Sequence, residues 1–294
     1  MRKKISYKTL YNNTIIDLEL EKKKNLEYEN IIKKLKNEII TLKEENKILN
    51  NKGSLCSKNG KIYEQNIHKI VNNCYINNNK FNIQNENDLG SSSSKNDIIC
   101  LYDEKYIGIE VKKFNTPDWM QCSIKYNNIT KKWETSKKNK IPNKSRDIFE
   151  NLINNIDLFN NEIPPFFEKN ITHDEWKIIK QNTNKWNDIY IDIPQDTIRK
   201  LYNEKNCQYI QISNGYGLYH LGNDLCSFNV PLFNIEQHMR IRIKIHNKNN
   251  KNGYCSLSVI ASCLPKNINL LDKSNYSLDN ISKLPEKLLY KINQ

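Results

Sequence analysis

The residues with the most to offer chemically lie in the run Gly90-Ser-Ser-Ser-Ser-Lys-Asn-Asp97-Ile-Ile-Cys-Leu-Tyr-Asp-Glu-Lys-Tyr-Ile-Gly-Ile-Glu110-Val-Lys112. With Asp103 and Glu104 at the centre of a hairpin turn, antiparallel pairing sets Asp97 directly opposite Glu110. Strand residues alternate faces, so Lys112 shares the Glu110 face. The other face carries Ile98, Cys100 and Tyr102 against Ile107, Ile109 and Val111, and reads as the buried side. Two carboxylates and an ammonium are thereby expected together on a sheet backed by core. Like charges directly opposite destabilise a hairpin unless something compensates them. A divalent cation does so: Mg²⁺ takes one or two carboxylates plus water and phosphate oxygens, and a neighbouring lysine orients or deprotonates the attacking water. A divalent ion, Mg²⁺ or Mn²⁺, between Asp97 and Glu110 with Lys112 nearby is the equipment for metal-assisted phosphodiester hydrolysis, and Glu64 on the preceding helix is expected to lean over the same edge. The weak link is the turn, because Asp-Glu is not a preferred two-residue hairpin pair. A solvated, salt-bridged strand face explains the same three residues without chemistry.

At these positions the sequence resembles the PD-(D/E)XK nuclease superfamily, which has the restriction-endonuclease-like fold. The resemblance lies in a helix bearing Glu64, Asp97 at a strand start, and Glu110-Val111-Lys112 in the next strand. It implies metal binding by Asp97 and Glu110, catalytic roles for Asp97, Glu110, Lys112 and Glu64, and hydrolysis of DNA phosphodiester bonds. The family's Pro-Asp is here Asn96-Asp97. A Gln-x-x-x-Tyr element of some members is approximated by Gln121 and Tyr126, one residue too far apart. The motif spans roughly 60 residues, and element order extends the likeness to about 54–265. The implied fold is α/β: a restriction-endonuclease-like mixed central sheet flanked by helices, in which Tyr209–Ser213 supplies a later core strand.

The elements that must position these groups follow from periodicity. Lys61–Cys74 reads as a helix with Ile62, Ile67, Ile70, Val71 and Cys74 near one face and His68 on its surface. Strands are expected at Phe81–Ile83, Asp97–Tyr102, Tyr106–Phe114, Tyr209–Ser213, Gly217–Leu221, Met239–His246 and Tyr254–Ser262. Helices are expected at Ser145–Phe159, at Thr172–Gln181 behind a Thr172/Glu175 capping box, and at Gln195–Asn206 after Pro194. Upstream, residues 14–49 contain no Gly or Pro. Leu18, Tyr28, Ile32, Leu35, Ile39, Leu42 and Leu49 follow a heptad with Asn25 and Asn46 in the seam, which predicts a coiled coil and a homodimer. A helix folded back on its own domain satisfies the same pattern. Gly53 is the expected stop. The organisation is thus a helical coiled coil over 1–52, an α/β domain over 54–265, and a polar tail with one short helix over 266–294.

The chain has 294 residues, 46 Lys+Arg against 33 Asp+Glu, and a formal charge of +13. That balance favours a polyanion, with DNA expected ahead of RNA. Between Lys112 and Arg146 stand ten Lys/Arg against two acids, with Trp119, Tyr126 and Trp133 interleaved. Cations beside aromatics suit a groove that neutralises phosphates and stacks bases, making Lys113, Lys125, Lys131 and Lys132 candidate contacts. In Arg240-Ile-Arg242-Ile-Lys244-Ile the three cations share one strand face and offer a second such surface. An ordinary solvated face accounts for either. There is no G-x-x-x-x-G-K-[ST] loop, which disfavours ATP hydrolysis, and no Cys-x-x-Cys pair, which argues against zinc and for reduced thiols. No apolar run of about 18 residues is present, and Met1-Arg2-Lys3-Lys4 leads into no apolar stretch, so an intracellular protein, cytoplasmic or nuclear, with no membrane span is expected. The competing reading is a non-catalytic nucleic-acid-binding or packaging protein with a coiled-coil oligomerisation helix.

Overall fold

The computed structural model describes residues 21–25, 27–39, 58–82, 96–248 and 250–291. The chain divides into one unit over Met1–Lys58 and a larger one over Asn59–Gln294. In the first, residues 21–25 and 27–39 are helical. The seam residues Tyr28, Ile32, Leu35 and Ile39 are half or more exposed in this single chain. The remainder of the expected coiled coil, and the Gly53 stop, lie outside the described residues, as do Ile83 and the Gly/Ser-rich approach to Asn96.

The larger unit is mixed α/β. In chain order it contains helix α1 (58–71), strands β1 (Cys74–Ile76), β2 (Asn79–Lys80), β3 (Ile98–Tyr102), β4 (Lys105–Lys112), β5 (Met120–Asn127) and β6 (Lys132–Thr135), and helices α2 (Asn143–Asn154) and α3 (His173–Asn182). Strand β7 (Ile189–Ile193), helix α4 (Thr197–Asn203), and strands β8 (Cys207–Ile212), β9 (Gly217–His220), β10 (Gln237–Asn247), β11 (Ser256–Pro265) and β12 (Leu289–Tyr290) complete it. The expected single central sheet resolves into three: β3-β4-β8-β9, β6-β5-β11-β10-β7 and β12-β1-β2. Within the first, β3 and β4 pair antiparallel while β4 and β8 pair parallel, so the later core strand expected after Tyr209 does flank the hairpin. Six strands were not expected: the short β1, β2 and β12 of the three-stranded sheet, and β5, β6 and β7 of the five-stranded one. In β5 the alternation of Met120, Cys122 and Ile124 inward with Gln121, Ser123 and Lys125 outward is masked by the surrounding lysines. Its period of two is that of a strand with one buried face. Strand β6 and the edge strand β7 are short and largely polar on one side.

Two apolar cores form. One lies between the back of the β3–β4 hairpin, α1 and the C-terminal segment, through Ile67, Val71, Ile98, Cys100, Ile107, Ile109, Val111 and Leu278. The other packs α2, α3 and α4 on the five-stranded sheet. Residues 266–291 are therefore no polar tail. Leu271, Leu278 and Leu288 are buried, β12 pairs with β1, and Leu278 N donates to Gln211 Oε1 at 2.8 Å. Helix α1 also differs from expectation at two positions. Ile62 is 53% exposed, whereas His68 is 1% exposed with Nε2 3.0 Å from Asn82 Nδ2. The capping box holds: Thr172 Oγ1 accepts from Glu175 N at 3.2 Å and Glu175 Oε2 accepts from Thr172 N at 2.7 Å. Among the described residues, seven cysteines are free thiols and none forms a disulfide, and no helix is long and apolar enough to cross a membrane.

Candidate active site and its cleft

The hairpin register runs from Ile98 opposite Ile109 to Tyr102 opposite Lys105. One residue further out it brings Asp97 against Glu110. The turn has Asp103 at φ 49° and Glu104 at φ 60°, the left-handed pair that a right-twisted two-residue hairpin requires. The chain thus accepts the cost of two non-glycine residues in that region to keep the register. On the other side of β4 the parallel strand β8 sets Glu110 beside Ile210 and Lys112 beside Ile212. Gly108 makes this approach possible, because a Cβ there would run into the Asn206 carbonyl and the Asn96 amide.

The hairpin face opposite the core is itself sheltered: Asp97 is 6% and Glu110 3% exposed. Lys112 Nζ donates to Glu110 Oε1 at 2.5 Å and stands 3.8 Å from Asp97 Oδ2. Asp97 Oδ2 also accepts from Val111 N at 2.9 Å. Lys205 Nζ, from the turn between α4 and β8, donates to Glu110 Oε2 at 2.9 Å. Both ammonium groups lie over the buried Tyr202 ring, at 5.8 Å for Lys112 and 5.4 Å for Lys205. The Cys207 thiol donates to Asn96 Oδ1 at 2.9 Å, which fixes the residue before Asp97.

Burial sets the acid–base balance of this cluster. It drives the Asp97 carboxyl up to about 7, helped by the Glu110 charge and opposed by Lys112. Glu110 is equally buried, but Lys112 and Lys205 outweigh that burial and hold its carboxyl below the usual range. Burial alone would lower the Lys112 ammonium, yet Glu110, Tyr202 and Asp97 lift it well above its ordinary value. Glu64 is raised by desolvation, with Lys112 opposing and Glu110 adding to the shift.

Glu64, Asp97, Glu110, Lys112 and Lys205 line one cleft of about 430 Å³ together with Asp118, Gln121, Ser123, Lys244 and His246 of the five-stranded sheet and its approach. All four residues expected at the centre therefore meet. Gln121 faces the same cleft, while Tyr126 packs on Trp133 at 5.5 Å. Among the described residues no cluster of three or more His, Cys, Asp or Glu side chains is arranged as a cation cage. What is present is a carboxylate pair bordering the cleft, oxygen donors of the type that suits Mg²⁺, with Lys112 and Lys205 on the two Glu110 oxygens.

The expected nucleic-acid contacts separate. Trp119 and Trp133 are 5% and 6% exposed and belong to the core, so they offer no stacking platform. Lys113 is half-buried just past the end of β4 and is not among the residues lining the cleft, and Lys125 pairs across strands with Glu134. Lys131 and Lys132 border a different groove with Tyr126, Trp133 and Glu150. On β10, Arg240 is bound to Asp188 at 2.6 Å and Arg242 to Asp118 at 2.5 Å, so neighbouring acids neutralise both. Only Lys244 of that triplet lines the cleft. The sequence reading missed Lys205, Tyr202, Asp118 and His246. Nothing in Glu204-Lys205-Asn206 distinguishes it from a surface turn, and its partner is 95 residues away.

No protein-family model and no curated protein matches the chain. Among solved structures it is similar to the HhaI endonuclease in complex with DNA, at 16% identity and a TM-score of 0.32, over 71% of this chain and 91% of that one. A likeness this loose assigns no family, and function must be argued from the cleft itself.

Proposed function

We propose that the chain is a metal-dependent deoxyribonuclease of restriction-endonuclease-like build. The observation that carries this reading is the convergence of Asp97, Glu110 and Lys112, with Glu64 beside them, at the floor of one polar cleft. Two carboxylates facing each other with little exposure need compensating positive charge, and a divalent ion would add to what Lys112 and Lys205 already supply. A divalent ion held by Asp97 and Glu110 would supply Lewis-acid polarisation of a phosphate and an acidified water. Lys112 is held protonated by Glu110 and Asp97, which suits it to orient the attacking water and to balance phosphate charge rather than to remove a proton. Burial pushes the Asp97 carboxyl up to about 7, so a divalent ion would compete with a proton for it near neutrality. Glu64 adds negative charge at the rim. Lys244 and His246, on the facing strand, line the cleft and would contact the backbone of a bound strand.

A non-cutting nucleic-acid binder is the second reading, and the two ammonium groups on Glu110 favour it, because they neutralise that carboxylate without any metal. Incubation of supercoiled plasmid and single-stranded DNA with Mg²⁺, Mn²⁺ or EDTA tests the choice. Cutting that needs metal and disappears in Asp97→Ala supports the nuclease. Binding with the same salt slope in metal and in EDTA, without cutting, supports the binder. Dimerisation through residues 14–49 belongs to the same proposal, since it would bring two such centres to two strands.

A further inference from the structure

We propose that Lys205 is a positioning residue of this centre, an internal counter-cation that holds the Glu110 carboxylate and competes with a divalent ion for it. The inference rests on reading Asp97 and Glu110 as the metal ligands. Lys205 Nζ is 2.9 Å from Glu110 Oε2, and both side chains are 3% exposed. The other oxygen, Oε1, is taken by Lys112 at 2.5 Å. Each oxygen of this carboxylate therefore already has an ammonium partner, Lys112 on one and Lys205 on the other.

The position of Lys205 is built rather than incidental. Helix α4 is tied at its start by Ile198 N donating to the buried Gln237 Oε1 at 2.9 Å. Near its end the Tyr202 hydroxyl donates to Trp119 O at 2.8 Å, and Lys205 N donates to Tyr202 O at 2.9 Å. The ammonium then rests 5.4 Å from the centre of the Tyr202 ring. A lysine reaching only for solvent needs none of these anchors. A side chain this enclosed is also poorly placed to touch a phosphate, so its influence runs through Glu110. Like charges a few ångströms apart in a sheltered site repel strongly, and an ion that binds Glu110 must approach Lys205 or displace it.

The test is titration of the full chain with Mn²⁺ by calorimetry in the absence of DNA, comparing wild type, Lys205→Gln, Lys205→Arg and Asp97→Asn. Glutamine keeps a hydrogen-bond donor and removes the charge. Lys205→Gln is expected to bind Mn²⁺ at least ~10-fold more tightly than wild type, and Lys205→Arg to bind like wild type. Should Lys205→Gln unfold in EDTA, recovery of its folded circular dichroism signal by Mn²⁺ supports the proposal, and an unfolded chain with Mn²⁺ present overturns it. Equal or weaker Mn²⁺ binding by Lys205→Gln, with Asp97→Asn abolishing binding, overturns the counter-cation role and leaves the metal centre standing. Absence of Mn²⁺ binding in both wild type and Lys205→Gln overturns the metal reading and the proposal with it.

Discussion

Glu110 and Lys205 lie 95 residues apart in sequence and meet at 2.9 Å in a site where each side chain is 3% exposed. The contact depends on the parallel pairing of β4 with β8, which carries the end of α4 over the charged hairpin face. A buried ion pair of this kind contributes less to net stability than its distance suggests, because both ions lose hydration. Its value is positional: Glu110 is held where Lys112 and Asp97 also reach.

The hairpin turn gives a stability prediction. Glu104 sits at φ 60°, a region that glycine enters without steric cost. Glu104→Gly should raise stability by about 0.5–1 kcal/mol after the greater freedom of glycine in the unfolded chain is offset. Urea titration should show a higher midpoint at unchanged slope. A lower midpoint would mean that the Glu104 side chain contributes more than the backbone loses.

Gly108 predicts the opposite sign. Its missing Cβ leaves room for the Asn206 carbonyl and the Asn96 amide, so Gly108→Ala must push β4 away from the α4–β8 turn. A loss of about 2 kcal/mol or more in the same titration is expected, within the range of overpacking in a tight interior. A neutral result would show that this turn yields easily.

The pH dependence of stability follows from Asp97. Its carboxyl titrates at about 7 in the folded chain, against an ordinary aspartate in the unfolded one. The folded state thus binds the proton more strongly, and the associated stability is complete in acid and lost as pH rises through about 7. In EDTA the melting temperature of the wild type should fall between about pH 4 and 7 relative to that of Asp97→Asn. Parallel profiles for the two proteins would contradict the assignment.

Salt dependence separates the cations. Lys244 lines the cleft, whereas Arg240 is bound to Asp188 at 2.6 Å. Lys244→Ala should reduce the slope of log K against log salt for DNA by about 1, and Arg240→Ala should leave it nearly unchanged. The reverse order would move the nucleic-acid path away from the carboxylate cluster.

The hairpin and its charged face were legible in the sequence because they are local. Sixteen residues from Asp97 to Lys112 carry their own alternation and turn, so the register and most of the core face follow from them. Glu64 was legible through helical spacing. Strand β5 was not, since lysines obscured its alternation. The C-terminal segment was not either, because Leu271, Leu278 and Leu288 anchor it singly and without period. Arg240 and Arg242 looked available because Asp118 and Asp188, their partners, are far away in sequence. Lys205 is the extreme case: a single residue whose role exists only through a parallel strand pairing.

Lys112 is the residue on which the proposed centre depends most directly. The most direct measurement runs single-turnover DNA cleavage and DNA binding side by side for wild type and Lys112→Met in Mg²⁺ and Mn²⁺. The expected result is metal-dependent cutting by the wild type, a fall of about 10²–10³-fold in rate for Lys112→Met, and binding changed by much less. A Lys112→Met protein that cuts at the wild-type rate, or a wild type that binds DNA and cuts with neither metal, would contradict it.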